Sequence, residues 1–459
     1  MDNSCRMRNG KSLKLGSQGN SGECGSRICS LPDTILLHIL SFLPTKAAVK
    51  TSLLSKRWQF LWMSVTKLEF EEKSKEGATR INFMNFVERA LLLHDLKNLQ
   101  KFSLNCNLLS DGPRINAWIS AVLKHKVKHL HLVLSYDDFD GWFVLPQHLF
   151  TCESLEKLFL VIYDCHQLPS FICLPNLKSL TLSSITFEDH HSVQRLLSGC
   201  PNLEKLRLSE CVWVNVGAVY INSSKLEELN IYELEVEGYD PPGCQFIISG
   251  VRLKEFTYMG ELKHDYCIID TPSLVKVFVG GIVNRKEKGS DRLAAYHAHK
   301  ILRGFGKTLE FLSLTCHVLQ ALTYADELAA HLPMFENLKQ IEVFGLEAVD
   351  FACRGLLNIV QKSPHLESLH LLMGVRLSTI SEEDDKVFNP VPACFLTHLK
   401  TVKLYKFNGT EEELRVVKSL LQRARVLEKL WLNSNEETRI LGLLSTLPAG
   451  LLNNNVAFF

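Results

Sequence analysis

The sequence is dominated by a short apolar unit, Leu-x-x-Leu-x-Leu, which recurs along about four-fifths of the chain. Successive units begin about 21 to 35 residues apart. Their first residues are Leu99, Val127, Leu155, Leu177, Leu203, Leu226, Leu253, Leu274, Leu309, Leu338, Leu366, Leu399 and Leu427, and a degenerate unit begins at Val65. A unit of this length cannot bury its apolar face alone, so neighbouring units must stack. The repeat therefore predicts an elongated α/β array in which each unit contributes one strand to a parallel sheet.

The segments that connect the strands show apolar residues at helical spacing in five places. These are residues 115–125, 193–198, 321–332, 351–361 and 411–423. We therefore expect an irregular solenoid with strands on its concave side and helices or loops on its convex side.

One column of residues is expected to point outward from the concave side. Successive side chains of a strand alternate between its faces, so the residue between the last two apolar positions of each unit points away from the core. This column contains Ser103, His131, Phe159, Thr181, Arg207, Asn230, Thr257, Phe278, Ser313, Glu342, His370, Lys403 and Trp431.

Aromatic and Arg residues are the usual anchors of protein interfaces. The candidate substrate contacts, in the column and beside it, are Phe159, Arg207, Tyr232, Phe278, Phe311, Phe344, His370, Tyr405 and Trp431. The alternative is that these side chains are isolated on the surface or are covered by loops such as residues 284–293.

Ahead of the array, residues 31–62 read LPDTILLHILSFLPTKAAVKTSLLSKRWQFLW. Pro32 and Asp33 suit a first helical turn, and apolar residues then recur at helical steps up to Pro44. A second helix capped by Thr45 and a third short helix with Trp58 are expected to follow. Three short helices in about 35 residues cannot bury this much apolar surface among themselves. Part of it should face a partner, unless the helices form a fully buried cap for the array.

The same stretch resembles an F-box of the plant type. The resemblance rests on LPDTILLHILSFLPT at 31–45 and TSLLSKRW at 51–58, which match nearly the whole motif. Such motifs usually begin with an acidic residue and Arg-Ile-Ser, whereas residues 26–30 read SRICS. We expect this departure to modify the first contact without abolishing docking.

The C-terminal part resembles the FBD region of many plant F-box repeat proteins. The matching segments are NPVPACF at 389–395, LKTVKL at 399–404, FNG at 407–409 and VLEKL at 426–430. The spacing predicts one helix between two final strands, which would cap the open end of the solenoid.

The chain as a whole is similar to plant F-box/FBD/leucine-rich-repeat proteins, the substrate-recognition subunits of SCF-type ubiquitin ligases. The expected organisation is a disordered tail at 1–26, an F-box at 27–70, a leucine-rich-repeat solenoid at 71–388 and an FBD region with terminal repeats at 389–459. By this resemblance the F-box docks a Skp-like adaptor, which holds a cullin/RING scaffold, and the repeat surface binds a protein substrate. The residues expected to contact the adaptor are Leu31, Pro32, Ile35, Leu36, Ile39, Leu40, Leu43, Pro44, Leu53, Leu54 and Trp58.

Composition and missing motifs argue against other classes of protein. The 51 Lys and Arg residues nearly balance the 50 Asp and Glu residues, which argues against nucleic acid as the main partner. We find no apolar run long enough for a transmembrane helix, no secretory signal, no phosphate loop, no nucleophile elbow and no His or Cys spacing typical of a metal site. We therefore expect a non-catalytic protein without cofactor or metal, whose cysteines are free thiols in the cytoplasm, the nucleus or both. Two alternatives stay open, namely a repeat-type binding scaffold outside any ligase and a small-molecule (hormone) co-receptor of the F-box type.

Overall fold

A computed structural model describes residues 28, 31–73, 77–108, 111–135, 143–165, 168–233, 243–281, 290–351, 354–377, 387–445 and 456–458. The tail expected at 1–26 lies outside these residues, as does most of the loop expected at 284–293. The chain divides into two compact units, Met1–Val65 and Thr66–Phe459. We call them the N-terminal unit and the solenoid unit.

The N-terminal unit contains two α-helices, α1 (Asp33–Ser41) and α2 (Thr45–Lys50), and two 3-10 turns, Thr51–Leu53 and Leu61–Ser64. Pro32 and Pro44 occupy the N-cap positions of the two helices, where a missing N–H costs no hydrogen bond. The expected cap, Thr45, is therefore wrong by one position, and its side chain is buried instead. The expected third helix is the short 3-10 turn Leu61–Ser64, and Trp58 lies in the turn before it.

The solenoid unit is built on a 16-stranded parallel sheet, which we call the main sheet. Fifteen of its strands form one continuous path in the order β1 (Lys67–Glu71), β2 (Lys101–Asn107), β3 (His129–Ser135), β4 (Lys157–Cys165), β5 (Ser179–Phe187), β6 (Lys205–Ser209), β9 (Glu228–Tyr232), β11 (Glu255–Gly260), β13 (Lys276–Gly281), β14 (Phe311–Thr315), β15 (Gln340–Phe344), β17 (Ser368–Leu371), β19 (Thr401–Leu404), β20 (Lys429–Leu432) and β21 (Val456–Phe458). The short strand β7 (Val212–Trp213) pairs with the end of β5. The predicted parallel array with one strand per unit is confirmed.

The core lies under one face of the main sheet. All thirteen residues that begin the predicted units are 5% exposed or less. Along most strands buried positions alternate with accessible ones, and in β3 every second residue is buried. We call the accessible side the open face, and it corresponds to the predicted concave side.

The connecting segments contain nine α-helices among the described residues. They are α3 (Gly77–Leu93), α4 (Gly112–Lys124), α5 (Ser192–Gly199), α6 (Ser290–Arg303), α7 (Cys316–Ala321), α8 (Arg354–Gln361), α9 (Ala393–Thr397), α10 (Glu411–Arg423) and α11 (Glu437–Leu444). Four of the five predicted helices correspond to α4, α5, α8 and α10. The fifth prediction, 321–332, is largely a 3-10 segment, Leu322–His331, interrupted by the non-helical backbone of Ala325.

Three successive connections between strands of the main sheet contain a further strand in place of a helix. These strands, β8 (Ala218–Asn222), β10 (Gln245–Ser249) and β12 (Asp265–Ile269), form a separate parallel sheet in the order β12-β10-β8. Their sequences alternate, with buried residues such as Val219, Phe246 and Tyr266 at every second position, which favours a strand over a helix. Helices α5 and α6 pack against the two edge strands. Two later connections, after β15 and β17, likewise contain short strands, β16 (Val349–Asp350) and β18 (Val375–Arg376), which pair as a two-stranded sheet.

Helix α3 is held to the neighbouring elements by a buried ion cluster. Arg80 in α3 donates to Glu72 at 2.7 Å and to Asp111 at 2.7 Å. The Arg80 and Glu72 side chains are only 9% and 2% exposed. Glu72 also accepts the backbone N–H of Asn107 at 2.9 Å. Each partner therefore satisfies a charge that would otherwise be buried alone.

The C-terminal region contains the predicted helix, α10, between two strands, β19 and β20. These strands are not the last ones, because α11 and β21 follow and β21 pairs with β20. The end of the sheet is thus one strand longer than the sequence pattern indicated.

Candidate functional site

The N-terminal unit exposes an unusual amount of apolar side chain for its size. Ile35, Ile39 and Phe42 follow one stripe of α1 at intervals of four and three residues, and they are 45%, 39% and 71% exposed. Leu53 and Leu54, after α2, are 86% and 67% exposed. We call the exposed apolar set Ile35, Ile39, Phe42, Leu53, Leu54 and Phe60.

The structure divides the eleven expected adaptor contacts into three groups. Leu36, Leu40 and Trp58 are buried in the folded chain and offer no surface to a partner. Leu31 and Leu43 are half-buried. The exposed ones are Pro32, Ile35, Ile39, Pro44, Leu53 and Leu54. Contact with an adaptor stays a prediction for this exposed group, whereas the buried three support the fold.

Two exposed aromatic residues and one arginine were not singled out from the sequence. Phe42 and Phe60 belong to the exposed apolar set, and their apolar type inside the matched motif was the available signal. Arg57 donates to the Asp33 carboxylate at 2.6 Å and to the Leu31 carbonyl at 2.5 Å. It thereby ties the turn before Trp58 to the start of α1. The signal for this pairing was weak, because 24 residues separate Arg57 from Asp33.

The open face of the main sheet contains the predicted column as one continuous register row. Cα pairing runs without a gap from Ser103 through His131 and Phe159 to Thr181. It continues through Arg207, Asn230, Thr257, Phe278, Ser313, Glu342, His370, Lys403 and Trp431. Glu69 and Ala457 extend the row at its two ends. The alternation rule thus placed all thirteen residues on one row, although Ser313 is buried within it.

All nine candidate substrate contacts lie on the open face, and the structure brings some of them together. The rings of Phe278 and Phe311 are 5.2 Å apart. The Arg207 guanidinium lies 4.2 Å from the centre of the Tyr232 ring. Phe159 stacks on His131 at 4.1 Å. Phe344 ends β15, Tyr405 follows β19 directly, and His370 and Trp431 lie in the register row, so these four spread along the face.

A second row on the same face lies two residues before the column, and the candidate contacts predicted from the sequence include only Phe311 from it and none of its lysines. In its first half this row contains Lys67, Lys101, Lys157 and Lys205. Lys67 and Lys101 both pair with Glu69, at 3.0 and 2.8 Å, and Lys205 pairs with Glu228 at 2.5 Å. The available signal was the Lys that stands just before the second apolar position of many units.

The histidines of the open face are held neutral. Burial, together with Lys101, lowers the pKa of His131. Burial and the nearby Lys403 lower the pKa of His370 to about 4. Neither side chain contributes positive charge to the face at neutral pH.

One buried polar cluster has the residue types of a catalytic triad. His264 lies between Cys244 and Glu233, with 3.4 Å from Nδ1 to the Cys244 Sγ and 3.4 Å from Nε2 to the Glu233 carboxylate. Burial raises the pKa of the Cys244 thiol to about 12, so the thiol stays protonated at neutral pH. Tyr258 and Tyr266 donate to the two Glu233 oxygens at 2.8 and 2.7 Å. The cluster therefore connects β9, β10, β11 and β12, and it presents no activated nucleophile to solvent.

Among the described residues, no group of three His, Cys, Asp or Glu side chains is placed to hold a metal ion. The helices in this part of the chain lack the length and apolar character that a bilayer crossing requires.

Comparison with known proteins gives three domain matches along the chain. The F-box domain model matches residues 28–70, and the FBD model matches residues 389–432. A repeat model described as FBD-associated F-box protein At5g56370, LRR repeats, matches residues 115–306. The Arabidopsis thaliana FBD-associated F-box protein At3g50710 is 30% identical over 88% of this chain and 91% of its own length.

The chain belongs to the plant F-box/FBD/leucine-rich-repeat family. Another similar protein is the F-box/FBD/LRR-repeat protein At4g26340 of Arabidopsis thaliana, 29% identical over 87% of this chain and 91% of its own length. Among solved structures, the crystal structure of a TLR13-ssRNA13 complex matches 82% of this chain with 15% identity and a TM-score of 0.37, and the match spans about half (47%) of that chain. F-box/LRR proteins are in general non-catalytic substrate adaptors, and an F-box in general binds a Skp-like adaptor.

Proposed function

We propose that this F-box/FBD/LRR protein is the substrate-recognition subunit of an SCF-type ubiquitin ligase. Its N-terminal unit would dock a Skp-like adaptor, which connects it to a cullin/RING scaffold. Its open face would bind the protein substrate. The chain itself would make no bonds, and it would act by raising the effective concentration of substrate lysines near a charged ubiquitin-conjugating enzyme.

The observation that carries this proposal is the exposed apolar set of the N-terminal unit. Contiguous exposed apolar patches mark interaction sites, and Ile35, Ile39 and Phe42 follow one stripe of α1. Fully burying a leucine side chain stabilises a complex by about 1.5–3 kcal/mol. Leu53 and Leu54, at 86% and 67% exposure, have most of that free energy available for a partner.

The separation of exposed from buried residues makes the proposal testable without unfolding the unit. Leu36 and Leu40 are 0% and 1% exposed, so their truncation would weaken the fold along with any binding. Truncation of Leu53 and Leu54 removes little intramolecular packing, because both side chains point into solvent. A loss of binding in that variant can be assigned to the surface.

The experiment is a calorimetric titration of the full chain with a purified Skp-like adaptor. The variant Leu53→Ala/Leu54→Ala is compared with Leu92→Ala/Leu93→Ala, a consecutive leucine pair of the solenoid unit that is 83% and 52% exposed. If the first pair contains a central anchor worth about 2 kcal/mol, its truncation weakens adaptor binding about thirtyfold or more. The control pair should leave the affinity unchanged.

Two results would contradict the proposal. Folded wild-type chain that does not bind the adaptor would exclude the ligase role. Equal losses in the two leucine pairs would show that general surface apolarity, not the N-terminal unit, supports the interaction.

A further inference from the structure

The open face is chemically different in its two halves. We call β1 to β6 the cationic half and β13 to β20 the aromatic half of the open face. The difference lies in the three rows of accessible positions, namely the register row and the rows two residues before and after it.

The cationic half has a surplus of positive charge. Its three rows contain five cations, Lys67, Lys101, Lys157, Lys205 and Arg207, and two carboxylates, Glu69 and Glu71. Lys157 and Arg207 are exposed, and neither forms an ion pair with another described residue. Burial lowers the pKa of both His129 and His131, so these rings add no charge at neutral pH.

The remaining strands are balanced in charge. From β9 to β20 the same rows contain three carboxylates, Glu228, Glu255 and Glu342, and three cations, Lys276, Lys403 and Lys429. Glu228 and Glu255 lie on β9 and β11, between the two halves. The aromatic half therefore has three cations and one carboxylate, a smaller positive excess than the five cations and two carboxylates of the cationic half.

The aromatic half offers apolar contact area. Phe278, Phe311, Phe344 and Trp431 are all half-buried, so each ring keeps part of its surface for a partner. Aromatic side chains provide large contact areas at low cost in conformational entropy.

We propose that the open face binds an extended polypeptide segment with a Glu- or Asp-rich stretch and an apolar stretch, placed on the cationic and the aromatic half respectively. The proposal rests on the proposed function in one respect, since such a segment would mark the substrate. It requires only the solenoid unit and does not depend on adaptor docking.

The strand spacing gives the length of such a segment. Neighbouring strands are about 4.8 Å apart. Strand β1 contributes Lys67 but also Glu69 and Glu71, so the surplus of cations lies on β2 to β6. The four intervals from β2 to β6 span about 19 Å, the three from β6 to β13 about 14 Å, and the five from β13 to β20 about 24 Å. An extended chain rises about 3.3 Å per residue, so about six acidic residues, a spacer of about four and about seven apolar residues would match the face.

The charge pattern favours such a peptide over two other anionic ligands. A nucleic-acid strand has a phosphate at every nucleotide, whereas Glu228 and Glu255 on β9 and β11 place carboxylates in the middle of the face, where they would repel it. A phosphorylated peptide usually requires an Arg cluster that can bind its phosphate in a bidentate manner, whereas Arg207 is the one Arg in the described rows of the face. Single Lys side chains spaced along successive strands suit single carboxylates.

The test uses the full chain and a fluorescein-labelled 17-residue peptide of six glutamates, a four-residue Gly/Ser spacer and seven residues rich in Leu and Trp. Fluorescence anisotropy should show saturable binding that weakens with salt. A scrambled peptide of the same composition should bind at least about tenfold more weakly, because neither stretch then faces its own half.

The protein variant Lys157→Glu/Arg207→Glu should lower the affinity for the ordered peptide at least about tenfold. The control Lys97→Glu/Lys124→Glu makes the same change in net charge at two exposed lysines outside the main sheet. It should bind the ordered peptide within about threefold of the wild type.

Four outcomes would overturn the proposal: no binding of the ordered peptide, equal binding of the scrambled peptide, equal losses in the two charge variants, or tighter binding of a phosphoserine peptide or a single-stranded oligonucleotide of matched length. Adaptor affinity is measured on the same samples. Failure of peptide binding with intact adaptor binding refutes this inference alone, and the reverse result refutes the adaptor role alone.

Discussion

Glu413 provides the most direct test of how the FBD region stabilises its part of the main sheet. Its side chain is 4% exposed at the third position of α10. The carboxylate accepts the backbone N–H groups of Asn408 at 3.0 Å and Thr410 at 2.9 Å. The Glu413 N–H in turn donates to the Thr410 hydroxyl at 3.3 Å, which completes a capping box. Gly409, between the two donors, has a φ of +70°, which a glycine adopts without strain.

The replacement Glu413→Ala removes the acceptor for both backbone N–H groups at once. A buried donor without an acceptor costs about 1–3 kcal/mol, and loss of a helix cap costs about 0.5–2 kcal/mol. Asn408 is exposed, so water can reach part of the turn and the costs do not simply add. We expect the free energy of unfolding of this region to fall by about 3 kcal/mol.

The matched control is Glu411→Ala, in the same first turn of α10. The Glu411 side chain is 82% exposed and makes an ion pair with Arg415 at 2.8 Å. An exposed pair of this spacing contributes about 0.3–0.5 kcal/mol. Net charge and helix position are nearly the same in the two variants, so the difference between them reports the buried carboxylate.

The assay is urea unfolding combined with hydrogen exchange of the backbone amides of β19 and β20. Repeats interact mainly with their neighbours, so Glu413→Ala should lose protection in these strands and keep it in β2 and β3. Similar losses in the two variants, or a uniform loss along the sheet, would refute the role assigned to the Glu413 carboxylate.

Three further predictions concern other parts of the molecule. Arg80→Met leaves a buried carboxylate without its partner, so it should lower the free energy of unfolding by about 3–5 kcal/mol. The control Arg114→Met changes a 40% exposed arginine and should lower it by less than about 1 kcal/mol. Equal losses for the two variants in urea unfolding would contradict this prediction. His370 should titrate near pH 4 in NMR spectra and not near 6.5. Because its folded pKa is depressed, its contribution to stability is complete above about pH 6.5 and decreases as the pH falls towards 4, and His370→Gln should remove that component of the pH dependence. Leu36→Ala should destabilise the N-terminal unit by about 2–5 kcal/mol and Leu53→Ala by less than about 0.5 kcal/mol, as measured by thermal unfolding.

The open face could be predicted from sequence because one rule governs it. Each Leu-x-x-Leu-x-Leu unit sets the strand and its phase, and the period of two then assigns every side chain to a face. The complete register row from Ser103 to Trp431 follows from that rule. The buried Ser313 departs from it, because exposure also depends on the neighbouring side chains and not on phase alone.

The connections between strands could not be predicted with the same reliability. Helix α3 contains a buried Arg80 where an apolar residue would have marked the stripe, so its apolar pattern is weak. Strands β8, β10 and β12 occupy positions where a regular repeat would have a helix or loop. Such segments depend on what they pack against, which a single sequence does not specify.

The division of the N-terminal unit into exposed and buried residues also required the structure. Apolar residues occur on nearly every side of α1, since Ile35, Leu36, Leu37, Ile39 and Leu40 are all apolar. Helical periodicity therefore indicates a partner without showing which side it contacts. Packing decides that Leu36 and Leu40 are buried and Ile35 and Ile39 exposed.

We propose that the N-terminal unit and the solenoid unit bind separate partners. Hydroxyl-radical footprinting of the full chain, with and without a Skp-like adaptor, tests it most directly. We predict that adaptor binding lowers the oxidation of Phe42, Leu53 and Phe60 and leaves Phe278 and Trp431 on the open face unchanged. Protection of the open face by the adaptor, or no protection of the exposed apolar set in a complex that forms, would contradict the account.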